Sequence, residues 1–285
     1  MSDSKQCVLI VGCGDLGTAI GRELAAEGYL VYGMRRRAPS QSSDIRFVSG
    51  DVTQPGTLSC LAGIDPQILV YCVAAGEQSD ENYRAHYVDG LRHVLAALAH
   101  AQNLRHVFFV SSTRVYGQVS DELLNELSAT MPSDFGGRRL LEAEHLLASL
   151  PCGSTALRLS GIYGPGRTRM LDLATHPERW PSQNSWTNRI HRDDAAAFVV
   201  FLIHRISNNA PVHDCYIVTD SRPVPQYEVL QWLAGRMGSG ADRTGLPPAS
   251  GGKRLSNARM LETGFQLRYP DFTAGYAEMI SRLAK

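Results

Sequence analysis

The sequence has little lysine, no excess of positive or negative charge and no long apolar run. Three of its 28 basic residues are lysine, and 28 acidic residues balance the basic ones to a formal net charge of zero. A neutral chain is a poor candidate for general nucleic-acid binding, which depends on basic surfaces. The longest wholly apolar run, Ala195–Ile203, has nine residues, whereas a membrane-spanning helix needs about 20. We therefore expect neither a nucleic-acid partner nor a membrane partner.

The six cysteines also lack the spacing of a metal site or a redox motif, because no two of them are separated by two residues. Several stand inside apolar runs, which favours free, buried thiols in a reducing compartment. Residues 1–6 are polar and lead directly into a short apolar run, a pattern that a signal peptide does not have. These features predict a cytoplasmic protein without a metal site.

Short apolar runs alternate with amphipathic stretches through the first 160 residues. The apolar runs predict strands at Cys7–Val11, Leu30–Met34, Arg46–Ser49, Ile68–Val73, His106–Ser111 and Ser154–Leu159. The amphipathic stretches predict helices at Leu16–Ala26, from about Asn82 to Ala101 and at Arg138–Leu150. Strands and helices that alternate in this way predict an α/β fold, in which a parallel sheet is covered by helices on both faces.

A glycine-rich loop joins the first predicted strand to the first predicted helix. Its three glycines, Gly12, Gly14 and Gly17, have the spacing G-x-G-x-x-G. In this motif the first glycine permits a tight turn, the second lets the backbone approach a pyrophosphate, and the third lets the helix pack on the strand. The pyrophosphate then lies on the first amides of the helix, which here include those of Asp15 and Leu16. The loop predicts binding of a nicotinamide dinucleotide.

The end of the second strand indicates which dinucleotide is preferred. An acidic residue there usually binds the adenosine ribose hydroxyls, but this sequence has Arg35-Arg36-Arg37 instead. Guanidinium groups pair with a 2′-phosphate, whereas a carboxylate would repel it. We therefore predict that Arg35 and Arg36 favour NADP over NAD. After the third strand, Asp51 and Val52 are candidate adenine contacts, and the alternative for Asp51 is a turn-forming role.

These patterns predict two parts of the chain. We assign residues 1–160 to a dinucleotide-binding domain and 161–285 to a mixed segment, of which 191–215 return to the first domain. The rest of that segment, which is richer in glycine and proline, is predicted to form a smaller substrate lobe. Open α/β sheets bind their ligands at the carboxyl edge of the strands, and we place the lobe there.

Three further segments, together with the glycine loop, resemble a known superfamily. They are residues 110–117 (VSSTRVYG), 157–167 (LRLSGIYGPGR) and 188–196 (NRIHRDDAA). In this order they resemble the extended short-chain dehydrogenases/reductases, the nucleoside-diphosphate-sugar epimerases and dehydratases, over roughly residues 6–235. The resemblance implies a Rossmann-type, doubly wound parallel sheet with a smaller C-terminal lobe. The glycine spacing is one residue tighter than is usual in that superfamily, which indicates an atypical branch.

The resemblance fails at the residues that carry the superfamily's chemistry. There a tyrosine exchanges a proton with the substrate, and a lysine four residues later binds the nicotinamide ribose. Aligning the helix concerned places Phe135 at the tyrosine and Arg139 at the lysine, and no Tyr-x-x-x-Lys occurs anywhere in the chain. Ser112 matches the serine or threonine that orients the substrate oxygen. The resemblance thus implies cofactor contacts at Val73, Ala74 and Arg139, but not the usual catalytic step.

Three residues are candidates for the missing proton donor. Tyr116 follows the fifth strand, and Tyr163 and His191 lie in loops that border the substrate in this superfamily, as does Arg167. Each candidate acid also has a structural explanation. The Tyr116 hydroxyl can be tied to the interior, Tyr163 can be part of a turn, and His191 can bond a backbone carbonyl or a neighbouring aspartate.

Two functions follow from this sequence. The first is an NADP-dependent reductase, dehydratase or epimerase that acts on a hydroxylated, sugar-nucleotide-like small molecule through an atypical active site. The second is a non-catalytic NADP(H)-binding sensor or partner-binding protein that kept the fold and lost the tyrosine. Fold alone does not decide between them, because function depends on the site. A small-molecule substrate is expected in the first case, and a homodimer is left open in both.

Overall fold

The structure is a computed structural model that describes residues 6–39, 43–119, 122–239 and 246–283. Residues 1–5, which entered the argument against a signal peptide, lie outside the described residues. The chain divides into two compact units. Unit 1 combines the residues up to Gly117 with Thr130–Arg158 and Ala196–Tyr216, and unit 2 combines Gln118–Ala129, Leu159–Ala195 and the residues from Ile217 onwards.

The strands and helices are numbered in chain order. The strands are β1 (Cys7–Val11), β2 (Leu30–Arg35), β3 (Ile45–Ser49), β4 (Ile68–Tyr71), β5 (His106–Ser112), β6 (Leu123–Leu124), β7 (Gly153–Leu159), β8 (Gly161–Tyr163), β9 (Trp186–Thr187), β10 (Arg189–His191), β11 (Cys215–Val218), β12 (Val224–Pro225) and β13 (Arg254–Leu255). The helices are α1 (Asp15–Ala26), α2 (Asp80–Tyr83), α3 (Gly90–Ala97), α4 (Phe135–Leu147), α5 (Arg169–Ala174), α6 (Arg192–Ser207), α7 (Gln226–Arg236), α8 (Ala258–Glu262) and α9 (Phe272–Leu283). No helix in the described part of the chain combines the length and the apolar character that crossing a membrane requires.

Seven strands form the central parallel sheet, in the order β11-β7-β5-β4-β1-β2-β3. From β1 the chain winds to one edge through β2 and β3, then returns to β4 and winds to the other edge. The glycine loop follows β1, so it lies at the point where the winding reverses, which is where such sheets bind ligands. Every residue of β1 and β4 is buried. The predicted α/β fold with a doubly wound parallel sheet is confirmed.

The helix predicted from about Asn82 to Ala101 is interrupted. It contains a π-helical segment, Arg84–Asp89, between α2 and α3. The Tyr71 hydroxyl donates a hydrogen bond to the His86 carbonyl, and His86 Nδ1 lies 2.8 Å from the Asn82 carbonyl. Side chains thus bind two carbonyls of this helix, and in the same segment the backbone hydrogen bonds are of the i→i+5 type that defines a π-helix.

Unit 2 has short strand pairs and its own apolar core. The strand pairs are β8 with β10, β9 with β12 and β6 with β13. Its core contains Tyr163 of β8, Leu230 of α7, and Phe272 and Tyr276 of α9. The unit also takes in Gln118–Ala129, which the sequence analysis had placed within 1–160, and Arg192–Ala195 from the start of α6.

Candidate functional site

The glycine loop has the geometry that its motif requires. Gly12 has φ of +87°, and a Cβ added to it would lie 2.6 Å from the backbone of Cys72 and Val73. A Cβ on Gly17 would lie 2.9 Å from the Gly12 carbonyl oxygen. Only glycine fits these two positions, because a backbone neighbour has little freedom to move away. The loop therefore packs tightly between α1 and the residues that follow β4.

Gly14 differs from the other two glycines. It is exposed, and a Cβ added to it would meet nothing closer than the Gly12 carbonyl oxygen, at 3.9 Å. Helix α1 begins directly after it, and no side chain caps this helix start. An uncapped helix start with a bare glycine before it suits an anionic group, because backbone N–H groups and the helix dipole point at it. The loop therefore fits the pyrophosphate of a dinucleotide, with Asp15 and Leu16 in the first helical turn.

The two arginines at the end of β2 are exposed, and Arg35 lies close to this loop. Arg35 exerts an electrostatic effect on Cys13 inside the loop, and Arg36 exerts one on Asp51. Among the described residues, no hydrogen bond or ion pair engages either guanidinium group. Their charges are thus available to a phosphate group.

Asp51 forms a turn. Its Oδ1 accepts hydrogen bonds from the Thr53 backbone N–H at 2.9 Å and from the Thr53 hydroxyl at 2.8 Å. Partial burial opposes the charged form, but these bonds and the charge of Arg36 outweigh it and lower the pKa of Asp51. The next residue, Val52, is buried, and His93 Nδ1 lies 2.8 Å from its carbonyl oxygen. The turn-forming alternative for Asp51 thus has direct support, while contact of Asp51 and Val52 with adenine stays a prediction.

At the end of β5, Ser112 and Tyr116 have different surroundings. Ser112 is half-buried, and its Oγ accepts a hydrogen bond from the Arg114 backbone N–H at 3.2 Å. Tyr116 is completely buried, and Arg158 Nη1 donates to its hydroxyl at 2.5 Å. The hydroxyl of Tyr116 is therefore held in the interior by a charged group, which is the structural alternative raised for it. Its predicted catalytic role gains no support from this placement.

Arg158, which binds the Tyr116 hydroxyl, also forms a buried ion pair with Glu144. Arg158 donates to Glu144 through Nε at 3.1 Å and through Nη2 at 2.6 Å. The Ser111 hydroxyl donates to the same carboxylate at 2.6 Å. The negative charge of Glu144 outweighs the effect of burial and raises the pKa of Arg158. The network joins β5, α4 and β7, because its members belong to all three.

Phe135 is the first residue of α4 and packs against aromatic and cationic groups. The Tyr83 ring lies edge-on to the Phe135 ring, with centroids 5.3 Å apart, and the Arg114 guanidinium lies 5.3 Å from the Phe135 centroid. Arg114 donates to the Tyr83 hydroxyl at 2.8 Å and through Nε to both carboxylate oxygens of Asp134 at 2.9 Å. The phenol closest to Phe135 in these contacts is therefore Tyr83, which the sequence analysis did not name.

Arg139 is engaged by two carboxylates. Its Nε and Nη2 donate to Asp80 at 2.7 and 2.9 Å, and its Nη1 donates to Glu142 at 2.7 Å. These hydrogen bonds raise the pKa of Arg139. The guanidinium thus joins α2 to α4, and the predicted contact of Arg139 with the nicotinamide ribose stays a prediction.

In unit 2 the structure brings Tyr163 and His191 together. Their rings are in edge-to-face contact at 5.2 Å. Burial raises the pKa of Tyr163 and lowers that of His191, whose Nδ1 accepts from the Asp193 N–H at 3.2 Å. Burial therefore favours the neutral form of both groups. Arg167 is exposed, and its backbone N–H closes a turn on the Gly164 carbonyl at 3.0 Å.

Comparison with known proteins identifies the family. The model of the NAD dependent epimerase/dehydratase family matches residues 8–216. The chain belongs to this family. A search of curated proteins finds no match. The resemblance stated from the sequence is confirmed. The expectation that the chain binds a nicotinamide dinucleotide agrees with the family name, which specifies NAD.

Solved structures extend the comparison. The "putative NAD-dependent epimerase/dehydratase" of Methylobacillus flagellatus is 48% identical over 99% of this chain and 100% of that chain, with a TM-score of 0.91. A "putative epimerase" of Burkholderia cenocepacia is 21% identical over 98% of each chain, with a TM-score of 0.80. The UDP-glucose 4-epimerase of Thermus thermophilus, in complex with NAD, is 17% identical over 95% of this chain and 96% of that chain, with a TM-score of 0.76. The last two similarities show a shared fold.

Sequence reasoning missed the charged partners around the predicted epimerase/dehydratase site. One signal was present, the pair Gly136-Gly137 at the start of α4. A Cβ on Gly136 would lie 2.5 Å from the guanidinium carbon of Arg114, and one on Gly137 would lie 2.5 Å from the Arg114 carbonyl oxygen. Two glycines inside a helix are unfavourable, so their presence indicates a close approach. Here the approaching residue is Arg114.

Proposed function

We propose that this protein is an NADP(H)-dependent reductase or epimerase/dehydratase that acts on a hydroxylated, sugar-nucleotide-like small molecule. The observation that carries the proposal is the glycine loop, with an exposed Gly14 before an uncapped helix. When bound, the nicotinamide supplies hydride transfer. None of the six cysteines, all of which are described, is part of a disulfide, which supports a location in the cytoplasm.

The preference for NADP rests on Arg35 and Arg36. Both are exposed, Arg35 acts electrostatically on the loop that fits the pyrophosphate, Arg36 acts on Asp51, and neither guanidinium forms an ion pair with a described acidic side chain. A charge-assisted hydrogen bond to a phosphate contributes about 1.5–3 kcal/mol. NADH lacks the 2′-phosphate and would leave both arginines without that contact.

We expect NADPH to bind more tightly than NADH, and Arg35→Asp to narrow or reverse the difference. Fluorescence titration with both cofactors measures this. Arg37→Asp is the matched control, since it makes the same charge change one residue beyond the predicted pair. Equal affinity of the wild-type protein for both cofactors would reject the assignment.

The proton donor that we propose is Tyr83. With Phe135 and Arg139 at the family's tyrosine and lysine positions, position 135 offers no hydroxyl. Tyr83 packs on Phe135, and its hydroxyl donates to Gln78 Oε1 at 3.2 Å. Arg114 donates to the phenol oxygen and would stabilise the negative charge that forms on it when the proton leaves. Arg114 would then supply the positive charge for which the family uses lysine, and Ser112 would bind the substrate oxygen.

We expect the wild-type protein to turn over at least one member of a panel of aldehydes, ketones and sugar nucleotides, and Tyr83→Phe to lower turnover about 10²–10⁴-fold. Loss of NADPH absorbance measures reduction, whereas an epimerase or dehydratase returns the hydride, so its rate is measured as conversion of the sugar nucleotide in the presence of NADP⁺. NADPH affinity should barely change. Tyr32→Phe is the control, because it removes a phenol hydroxyl from β2 of the same unit.

The outcomes separate three cases. If the Tyr83→Phe variant keeps the wild-type turnover, Tyr83 is not the proton donor, but the protein is still an enzyme. Phe135→Tyr with Arg139→Lys then shows whether a rebuilt tyrosine–lysine pair raises the rate. Cofactor binding without turnover of any panel member supports the second candidate, a non-catalytic NADP(H)-binding protein. The engagement of Arg139 by Asp80 and Glu142 is the observation that favours that candidate.

A further inference from the structure

Two buried side chains of opposite charge lie beside each other in unit 2. Arg189 of β10 is 6% exposed, and Asp220, two residues beyond β11, is 1% exposed. The Asp220 backbone N–H donates to the Arg189 carbonyl oxygen at 2.7 Å, and the Thr219 hydroxyl donates to the same oxygen at 3.1 Å. The two residues are thus fixed next to each other by their backbones.

Each side chain leaves one polar atom unsatisfied. Arg189 Nη2 donates to the Thr187 hydroxyl at 2.7 Å, and Asp220 Oδ1 accepts from the Arg222 N–H at 3.1 Å. Arg189 Nη1 and Asp220 Oδ2 are buried and have no hydrogen-bond partner among the described protein atoms. Arg189 and Asp220 interact electrostatically, but no ion pair joins them in the part of the chain that the structure describes.

A buried donor and a buried acceptor on two residues that their backbones hold side by side imply a bound water molecule or polar ligand group. Native proteins rarely leave such atoms unpaired, since the loss of hydration is costly, and a bound water or ligand group commonly satisfies them. A hydroxyl group meets both requirements without adding a charge, because it can accept a hydrogen bond from the guanidinium and donate one to the carboxylate.

We propose that Arg189 and Asp220 form a buried binding site for one hydroxyl group, which accepts from Arg189 Nη1 and donates to Asp220 Oδ2. The hydroxyl comes from an internal water molecule or from a polyol-like ligand. In the second case the proposal rests on the proposed function, because the hydroxylated substrate would supply it.

The groups around the site suit a neutral hydroxyl that both donates and accepts a hydrogen bond. Burial raises the pKa of Asp220 to about 7. The negative charge of Asp271 adds to this rise, and the positive charges of Arg189 and Arg222 oppose it. Its carboxyl thus exchanges between two forms near neutral pH, and a hydroxyl can pair with either form because it both donates and accepts. Tyr163 and Tyr276, which also interact electrostatically with both side chains, are aromatic neighbours with ring centroids 4.5 Å apart.

The first test is a high-resolution crystal structure of the full-length wild-type protein grown without polyols. We expect density for one oxygen atom at about 3 Å from both Arg189 Nη1 and Asp220 Oδ2. Asp220→Asn, which keeps the shape of the side chain, should retain this oxygen, and Asp220→Leu should lose it. Direct contact between Nη1 and Oδ2, or no density between them, overturns the proposal.

The second test distinguishes the two sources of the hydroxyl. Isothermal titration calorimetry with myo-inositol as probe is expected to show saturable binding if a ligand supplies it, weakened at least tenfold by Asp220→Leu or, should that variant not fold, by Arg189→Met. Asp172→Asn, an exposed carboxylate of the same unit, is the control. The crystallographic oxygen without inositol binding identifies water as the source, and it does so whether or not the protein proves to be an enzyme. If myo-inositol binds equally well to the wild-type protein and to both site variants, a ligand does not supply the hydroxyl at this site.

Discussion

Gly14→Val is expected to abolish dinucleotide binding while the protein stays folded. A Cβ at Gly14 meets no protein atom closer than 3.9 Å, so the fold has room for the side chain. The same side chain projects from the exposed residue that the pyrophosphate must approach. If two phosphate contacts are lost, Kd should rise on the order of a hundredfold or more. Fluorescence titration with NADPH and NADH measures this, and thermal unfolding followed by circular dichroism checks the fold.

Two further variants distinguish a side chain that blocks the approach of the pyrophosphate from one that distorts the glycine loop. Gly12→Ala should lower both binding and stability, because its Cβ would lie 2.6 Å from the backbone atoms of Cys72 and Val73. Gly63→Val should change neither, since nothing lies within 4 Å of a Cβ there. Undiminished binding by Gly14→Val would show that the loop does not hold the pyrophosphate.

The second large effect is expected at the buried ion pair. The Arg158 side chain is 10% exposed and the Glu144 side chain 6%. Glu144→Leu would leave the Arg158 guanidinium buried without its carboxylate and should lower the free energy of unfolding by about 3–5 kcal/mol. Chemical denaturation followed by circular dichroism measures this loss.

The matched double variant tests the cause. Glu144→Leu with Arg158→Met removes both charges and should cost much less than Glu144→Leu alone, because no unpaired charge remains. Glu228→Gln breaks the exposed pair with Arg222 and should cost at most about 1 kcal/mol. If the single and double variants at the buried pair lose the same stability, the unpaired guanidinium is not the reason.

The sequence predicts the central sheet well because a parallel sheet buries both faces of its strands. Strands such as Cys7–Val11 are then continuous apolar runs that end at a glycine or a polar residue, and the run and the strand coincide. The glycine loop was equally recognisable, because its G-x-G-x-x-G spacing lies within six consecutive residues between a strand and a helix. Both features can be recognised from a short stretch of sequence.

Features that depend on distant residues could not be read in the same way. The periodicity of 82–101 indicates one helix, and nothing in it shows that Tyr71 binds the His86 carbonyl. Helix α4 was predicted from Arg138 but begins at Phe135, where Asp134 caps it by accepting from the Gly137 N–H at 2.8 Å. The glycines that follow the cap hid this start from a propensity argument.

The candidate site shows the same limit. The spacing of Phe135 and Arg139 places them on one helix, but the carboxylate of Asp80 that engages Arg139 lies far away in the sequence. Tyr116 was a candidate acid because it follows β5, and its interior partner, Arg158, is likewise remote. Remote charge partners decide which polar residues are free to act on a ligand, and one sequence does not reveal them.

The division into two units has a consequence for how the protein is made. Neither unit is a continuous stretch of chain, since Leu159–Ala195 of unit 2 lies between two parts of unit 1, Thr130–Arg158 and Ala196–Tyr216. During synthesis the sheet therefore presents β7 as an open edge until β11 emerges from the ribosome. Exposed edges of this kind invite pairing with other chains. Ribosome-bound intermediates that end between Leu159 and Cys215 therefore expose the edge of β7.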